Sequence, residues 1–514
     1  MGRKSSRRGR GYKRERPRNG RHTLLCLYHN ERAAQGQSFK QKGLEHMIII
    51  DKDQISDENG NLNITPSVVT SLIDRNEKKK ETRERMYDYY TGKHDILRNE
   101  RANPQAPNFR IVCNHAKYSV KISQGYMFGQ PVSYTPAEGV NIDPLINEYD
   151  AQEISNCDSK LFKDSMIYGS AVELIYSNEK SRPRSGVLPP TQAFVVVDDT
   201  VEHNRLFGVQ YYEQRDITDS YVTDAVAIVY TDCEKIKFHG VNKSFKQLEV
   251  TKRETHRFGY VPMIEYTLND EEQCDYEQEI PLMDAYNSLM SERANDKAQF
   301  VDAFLFLKNI VLNTDEAKKL KLEKILISDD PNGDAKFLSQ VLSEADVEVL
   351  RKAYKDDLHK YGMVPDLTDE NFGNNVSGVA LRYKIFGFEQ NIKEKERYFC
   401  AGLKERIKIY SHFLSNYSLM SEVDPADVSI IMNRTLPQND LEASEIVLNL
   451  KNTVSDETLL DRLDFVRDSK EELKLLRKQQ DEEAKRRVAE EKQYLENTGY
   501  NQTPESVFNN LDEE

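Results

Sequence analysis

The sequence carries no motif that commits it to a reaction. HExxH, GxSxG, GxxxxGK[ST] and a GxGxxG in a βαβ setting are all missing from its 514 residues, and with them the metalloprotease, hydrolase, P-loop and dinucleotide-binding signatures. The nearest approach, "TGKH" at residues 91–94, has Tyr87 where a phosphate loop needs its first glycine and His94 where it needs Ser or Thr. Cysteine is sparse: Cys26, Cys113, Cys157, Cys233, Cys274 and Cys400 show no CxxC or zinc-type spacing. They read as free thiols of a reducing cytoplasm rather than a disulfide framework. His94, His115, His359 and His412 have no paired ligand at i+3 or i+4, so each reads as structural or surface. No apolar run reaches transmembrane length and no hydrophobic signal core opens the chain, so neither a membrane span nor a standard secretion signal is expected.

Core formers are also scarce. Hydrophobic residues make up 38% against 31% charged. A chain this long and this lean exposes long charged helices or buries surface against partner subunits. Net charge is -14, yet residues 1–46 open with "MGRKSSRRGRGYKRERPRNGRH". That arm reads as a disordered, solvated tail or as a loose contact with nucleic acid. A natural start at Met47 is a third reading.

Ordered-looking sequence begins near Met47. "ITPSVVTSLIDRNEKKKETRERMYDYYTGKHDIL" reads as a helix pair, capped by Thr65 or Ser67 and ended by Gly92. A helix over Asn114 to Phe128 is followed by a strand entered at "GQPVSYTP". From about 190 to 270, short β-branched and aromatic runs between turn residues predict an antiparallel β region. Helix returns at Glu279, with Leu282, Tyr286, Leu289, Phe300 and Phe304 at helical spacing. Residues 291–299 between them are polar on every face, which predicts a helix that is not buried in the core of one subunit. "KILISDDPNGDAKFLSQ" predicts two short strands around a Pro-Asn-Gly turn. A second helix starts at Ser343 and Asp346 and stops at Gly362 and Pro365. After the polar loop "NFGNNVS", an apolar stripe from Leu381 to Leu414 predicts a helix some forty residues long. "VSIIMNRTLP" reads as a strand, followed by two short amphipathic helices and, from about 470, a charged helix and polar tail.

This order resembles the portal protein family of tailed bacteriophages, in the branch common in phages of Gram-positive hosts. The likeness is carried by "YYTGKHDIL", "NFRIVCNHAKYSVKISQGYMFGQPVSY", "PLMDAYNSLMSERANDKAQFVDAFL", "NVSGVALRYKIFGFE", "NRTLPQNDLEASEI" and "VSDETLLDRLDFVRD", six segments in matching order between about 75 and 470. The resemblance implies an α+β, mostly helical, elongated subunit that assembles as a ring. Residues 47–278 would form the N-terminal part of an α/β wing, 279–305 and 342–364 the two stem helices, and 306–341 a small α/β clip between them. Residues 365–377 would hold the tunnel loop, 378–437 a long wing helix and strand, 438–480 a helical crown, and 481–514 a charged tail.

In such a ring, usually of twelve subunits, Asn371, Phe372, Gly373, Asn374, Asn375, Val376 and Ser377 would project toward duplex DNA. A neutral, flexible loop can touch a moving polyanion without holding it, whereas a cation in every copy would multiply into a salt-dependent trap. Lys297, Lys352, Lys355 and Lys360 would line the stem channel; for Lys352 and Lys355, ordinary helix-surface pairing is an equal alternative. Asp329, Asp330, Asn332, Asp334 and Lys336 in the clip would meet the motor or the tail adaptor. The resemblance further implies, as partners, further copies of the chain, the terminase large subunit, capsid and scaffolding proteins and the head–tail adaptor, in the virion and in the host cytoplasm during assembly. No cofactor, metal or membrane is expected, and any ATP hydrolysis would belong to the terminase. Two other readings stay open at this point. One is a metal-dependent DNA-processing enzyme using acidic clusters such as "DEEQCDYEQE", although solvated charge runs are the commoner meaning of such clusters. The other is a head-assembly protein without a channel.

Overall fold

The computed structural model describes residues 47–498 apart from 58–61, 102–103, 105, 218–220, 300–303, 311–331, 339–343, 369–382, 435–439, 452, 461–462, 464–465 and 467–468. The basic arm, Asp329, Asp330 and the whole of 371–377 therefore lie outside the described residues.

Residues 66–91 form one helix, α1 (Pro66–Thr91), and not a pair. Nothing between its first and last turns breaks it: Pro66 occupies the first turn, where its missing N–H costs nothing, and the next Gly or Pro is Gly92. Gly92 closes the helix in the left-handed region at φ 92°. The polar middle is pinned from one side, because buried Arg83 donates to Asn76 Oδ1 at 2.9 Å and to the Pro190 carbonyl at 2.5 Å. Next comes α2 (His115–Phe128), whose cap residue Asn114 accepts the Lys117 N–H at 2.8 Å. Helices α3 (Asp143–Asp150) and α4 (Ile154–Tyr168) follow.

The β region contains a six-stranded sheet in the order β1-β5-β6-β7-β8-β9. Its strands are β1 (Ile48–Ile50), β5 (Ala193–Asp198), β6 (Arg205–Arg215), β7 (Val222–Tyr230), β8 (Glu234–Gly240) and β9 (Leu248–Thr255). The antiparallel pairing expected between about 190 and 270 holds from β5 through β9, and β1, from outside that span, adds to the sheet in parallel with β5. A smaller sheet, β10-β3-β4, joins β10 (Met263–Thr267), β3 (Ser170–Ser177) and β4 (Pro183–Leu188). Strand β5 is buried along its whole length because both faces are covered. Val196 and Phe194 pack toward Val69, Leu72 and Ile73 of α1, while Val195 and Val197 pack toward Val172 and Met263 of the smaller sheet. Distant pieces also meet: β2 (Ser133–Pro136) pairs antiparallel with β13 (Val428–Ile431).

Helix α5 (Ile280–Gln299) is shorter than its apolar spacing suggested. Phe304 starts a strand, β11 (Phe304–Lys308), which pairs antiparallel with β12 (Asp334–Leu338). β12 follows the Pro-Asn-Gly turn as expected and its described partner is β11; the first strand of the expected hairpin lies outside the described residues. Helix α6 (Glu344–Tyr361) returns against α5. Helix α7 (Phe386–Asn416) buries Phe388, Ile392, Phe399, Leu403, Ile407, Tyr410 and Leu414 along one stripe. Each such side chain contributes roughly 1.5–3 kcal/mol on burial. α7 crosses β10 so closely that a Cβ on Gly402 would stand 2.3 Å from the Tyr266 ring. At the C-terminal end come α8 (Asp440–Leu450), α9 (Asp456–Leu460) and α10 (Ser469–Thr498). α10 runs without a break across residues 480–481. Among the described residues, no helix is long and apolar enough to cross a membrane.

Candidate functional site

The region around α5 and α6 is where the sequence placed function, and it is built from polar contacts. The expectation that the polar face of α5 avoids the core is corrected. Asn287, Ser291 and Asn295 are buried, one turn apart on the same helix face. Their side-chain oxygens accept the backbone N–H groups of Cys113 (2.8 Å), Ile111 (2.9 Å) and Phe109 (2.6 Å). Residues 109–113 are an extended segment, whose alternate N–H groups point the same way and match a helical repeat of four. The α5 helix thus does for this segment what a neighbouring strand would do. Asn287 also reaches His94 Nδ1 at 2.9 Å, and His94 Nε2 lies 3.0 Å from the Tyr89 carbonyl. Burial holds the His94 pKa down, as it does for His115, which is lowered to about 4 by burial and then by His359. Both rings sit inside the fold, His94 held between Asn287 and the Tyr89 carbonyl and His115 edge-on to Tyr286.

The chain leaving α6 is moored on two sides. Asp366 pairs with Lys355 of α6, and its Oδ1 accepts from the Thr368 N–H (3.0 Å) and Thr368 hydroxyl (2.6 Å). Desolvation would raise the Asp366 pKa; the hydrogen bonds from Lys355 and Thr368 prevail and hold it down at about 2. His359 Nδ1 lies 3.1 Å from the Val364 carbonyl. From α2, Tyr118 donates to the Pro365 carbonyl at 2.8 Å and accepts the Leu367 N–H at 3.2 Å. On the far side of residues 369–382, Glu389 of α7 is held by Tyr126 of α2 and by Arg434, which also pairs with Glu396. Both ends of that segment are therefore tied to α2.

Of the lysines singled out on α5 and α6, Lys297, Lys352 and Lys360 are exposed, and the Lys360 ammonium stands 5.4 Å from the Tyr361 ring centre. Lys355 differs, because Asp366 engages it. Asn332 and Asp334 sit at the turn into β12, and Lys336 lies within β12 opposite Phe306. Asp329, Asp330 and residues 371–377 lie outside the described residues. Sequence reasoning missed Asp366, Tyr118 and Arg434, which have no local pattern, and named His359 without its Val364 contact. It also missed the α5 ladder, whose signal was visible as Asn-x3-Ser-x3-Asn at 287, 291 and 295.

An ion pair joins α5 to α6 and a second within α6 supports it. Glu348 accepts from Arg293 across the helices at 3.0 Å and from Arg351 at 2.5 Å. Where α5 begins and α6 ends, buried Glu279 lies against Gly362, and burial and the nearby Asp275 raise its pKa to about 8. Asp275 itself pairs with buried Lys395 of α7 and accepts the Ser119 hydroxyl at 2.9 Å.

The chain has relatives by sequence. The portal protein of Clostridium phage phiCD119 is 26% identical over 415 residues, covering 75% of this chain and 90% of the relative. The portal protein of Bacillus phage SPP1 is 22% identical over 416 residues, covering 75% and 81%. Among solved structures, a chain in the neck of an empty GTA particle matches at 12% identity and a TM-score of 0.38, over 67% of this chain and 89% of that one. A model of the family "Phage portal protein, SPP1 Gp6-like" matches residues 70–486, the span from α1 into α10. The chain belongs to that family of phage portal proteins and has its portal-type fold.

Proposed function

We propose that copies of this chain close into a ring, of about twelve by the family resemblance, around an aqueous bore at one capsid vertex. The genome is packaged through it by a terminase motor and later leaves through it, and a head–tail adaptor attaches below. As a phage portal protein the chain is a structural part of the virion and not an enzyme. One observation supports the ring most directly: α6 leaves Val349 (71%), Leu350 (41%) and Tyr361 (63%) exposed in a single subunit. An apolar set on a charged helix is covered when a neighbour packs on it.

In this reading α5 and α6 are the stem, β11–β12 with the chain between them the clip, and residues 371–377 the tunnel loop. Lys297, Lys352 and Lys360 make weak phosphate contacts in the bore, while Lys355 serves the Asp366 mooring instead. The net charge of -14 keeps DNA centred by repulsion. Asn332, Asp334 and Lys336, with Asp329 and Asp330, face the terminase or the adaptor.

Native mass spectrometry tests the ring: closed oligomers of one size are expected, and a monomer at every concentration would end the proposal. Replacing Asn374 and Asn375 by Arg tests the loop. Slower or stalled packaging with normal assembly is expected, and unchanged packaging counts against DNA contact there.

A further inference from the structure

We propose that the pocket between α3, the β3–β4 turn and the C-terminal end of α7 receives an acidic, leucine-bearing peptide segment of a protein partner. The pocket measures about 540 Å³, and its lining includes Lys180, Arg182 and Arg184 together with Pro144, Leu414 and Leu419. Its cationic wall is built in advance. Glu148, buried at the base, accepts from Arg182 at 2.5 Å and from Arg184 at 2.9 Å, one carboxylate oxygen for each guanidinium. Arg184 also donates to the Pro183 carbonyl at 2.9 Å. A fixed guanidinium loses little freedom when a second carboxylate arrives, and its remaining N–H groups suit bidentate recognition. Lys180 is exposed and makes no ion pair among the described residues.

The wall is braced from behind. Gln152 accepts the Ser185 N–H at 2.8 Å and donates to Tyr410 at 3.0 Å, and the hydroxyls of Ser185 and Tyr410 lie 2.8 Å apart. These contacts lock β4 to α3 and α7, so the pocket keeps its shape without an occupant. Three cations against Glu148 and Asp143 leave the lining positive on a chain of net charge -14. Local positive potential on an acidic body selects anionic partners.

Two features favour a peptide over a nucleic acid. Leu419 is 45% exposed beside the buried Leu414, an apolar seat that a phosphodiester backbone has no group to fill. Asp143, exposed in the same lining, repels a continuous line of phosphates more than it repels a single carboxylate. A short extended segment with a carboxylate beside a leucine-sized side chain satisfies both halves.

The test uses the full-length assembled protein and a fluorescein-labelled hexapeptide alternating leucine and glutamate, read by anisotropy. Controls are a glutamine twin of the peptide and a duplex oligonucleotide as competitor. The variant is Lys180→Glu with Arg182→Glu; both side chains are at the surface, and Arg184 stays to hold Glu148. Saturable binding is expected, at least about tenfold weaker for the variant and for the glutamine twin, with ring size unchanged. Absent binding, or binding indifferent to the substitutions, overturns the proposal. An oligonucleotide that displaces the peptide and is lost with the same substitutions overturns it in favour of a phosphate site. Because ring size is measured alongside, failure here is distinguishable from failure of the ring.

Discussion

The Arg406 guanidinium is fully buried and donates Nε to both oxygens of Glu173, at 2.8 and 3.0 Å. Its Nη1 donates to Asp158 Oδ1 at 2.6 Å, and Tyr266 donates to Glu173 at 2.6 Å. One cation thus ties α7 to α4 and β3. Arg406→Met leaves two carboxylates buried without a counter-charge and is expected to cost roughly 3–5 kcal/mol. Replacing Arg406, Asp158 and Glu173 together by apolar residues of similar size should recover most of that loss. Urea denaturation of the three proteins decides it, and a single mutant as stable as the parent would refute the assignment.

Two serines on α5 differ only in surroundings. Ser291 accepts the Ile111 N–H at 2.9 Å, whereas Ser288 is exposed. Ser291→Ala strands a backbone donor and should cost about 1–3 kcal/mol, while Ser288→Ala stays within about 0.5 kcal/mol. Hydrogen exchange at the Ile111 amide should quicken in the first variant and not in the second.

Stability should fall on the alkaline side. Burial, then Asp275, raises Glu279 to about 8, well above the unfolded value of ~4.3. A carboxyl raised in the folded state binds more protons there than when unfolded. Its stabilising share is complete below the unfolded value and is lost as pH climbs through about 8. Glu272, raised to about 8 by burial and then by Glu265, acts in the same window. Glu279→Gln should flatten part of the decline in melting temperature between about pH 5 and 8, roughly the interval between the unfolded and folded values. An unchanged slope would show that Glu279 does not titrate there.

The Asp366 mooring has the opposite sign. Held at about 2, its carboxylate contributes stability above the unfolded range, and this is lost as pH falls toward about 2. Asp366→Asn and Tyr118→Phe should each speed hydrogen exchange at the amides of Leu367 and Thr368 by about tenfold or more, with ring size unchanged. In the reading of residues 371–377 as a DNA-facing loop, the same variants alter packaging rate without abolishing it.

Gly402 offers a packing test. Gly402→Val drives its side chain into Tyr266, which the α7–β10 crossing leaves no room for. A loss of about 1–3 kcal/mol or more is expected, against a small effect at Gly387, where a Cβ meets nothing within 4 Å.

The stripe from Phe388 to Leu414, the capped start of α2 at Asn114 and the short β-branched strands were all legible in the chain. Each is a periodic or adjacent pattern, and the hydrophobic effect acts on such patterns whatever they later touch. The order of these segments also carried the family. β1 was not legible, because three isoleucines beside the start of ordered sequence do not announce a parallel partner 148 residues away at Val196. Neither was the end of α5, since Phe300 and Phe304 continue the helical spacing although Phe304 enters a strand.

Sequence by itself determined which stretches are broadly helical, that the body is acidic and lean, and that no known catalytic motif is present. Tertiary structure alone decided which polar groups are inside. Asn287, Ser291 and Asn295 read as a solvated face until residues 109–113 lie against them. Lys355 reads as a channel-lining charge or a helix-surface partner until Asp366 folds back onto it. Burial of a polar group depends on a partner supplied by another part of the chain, and that partner's arrival is a property of the packed molecule.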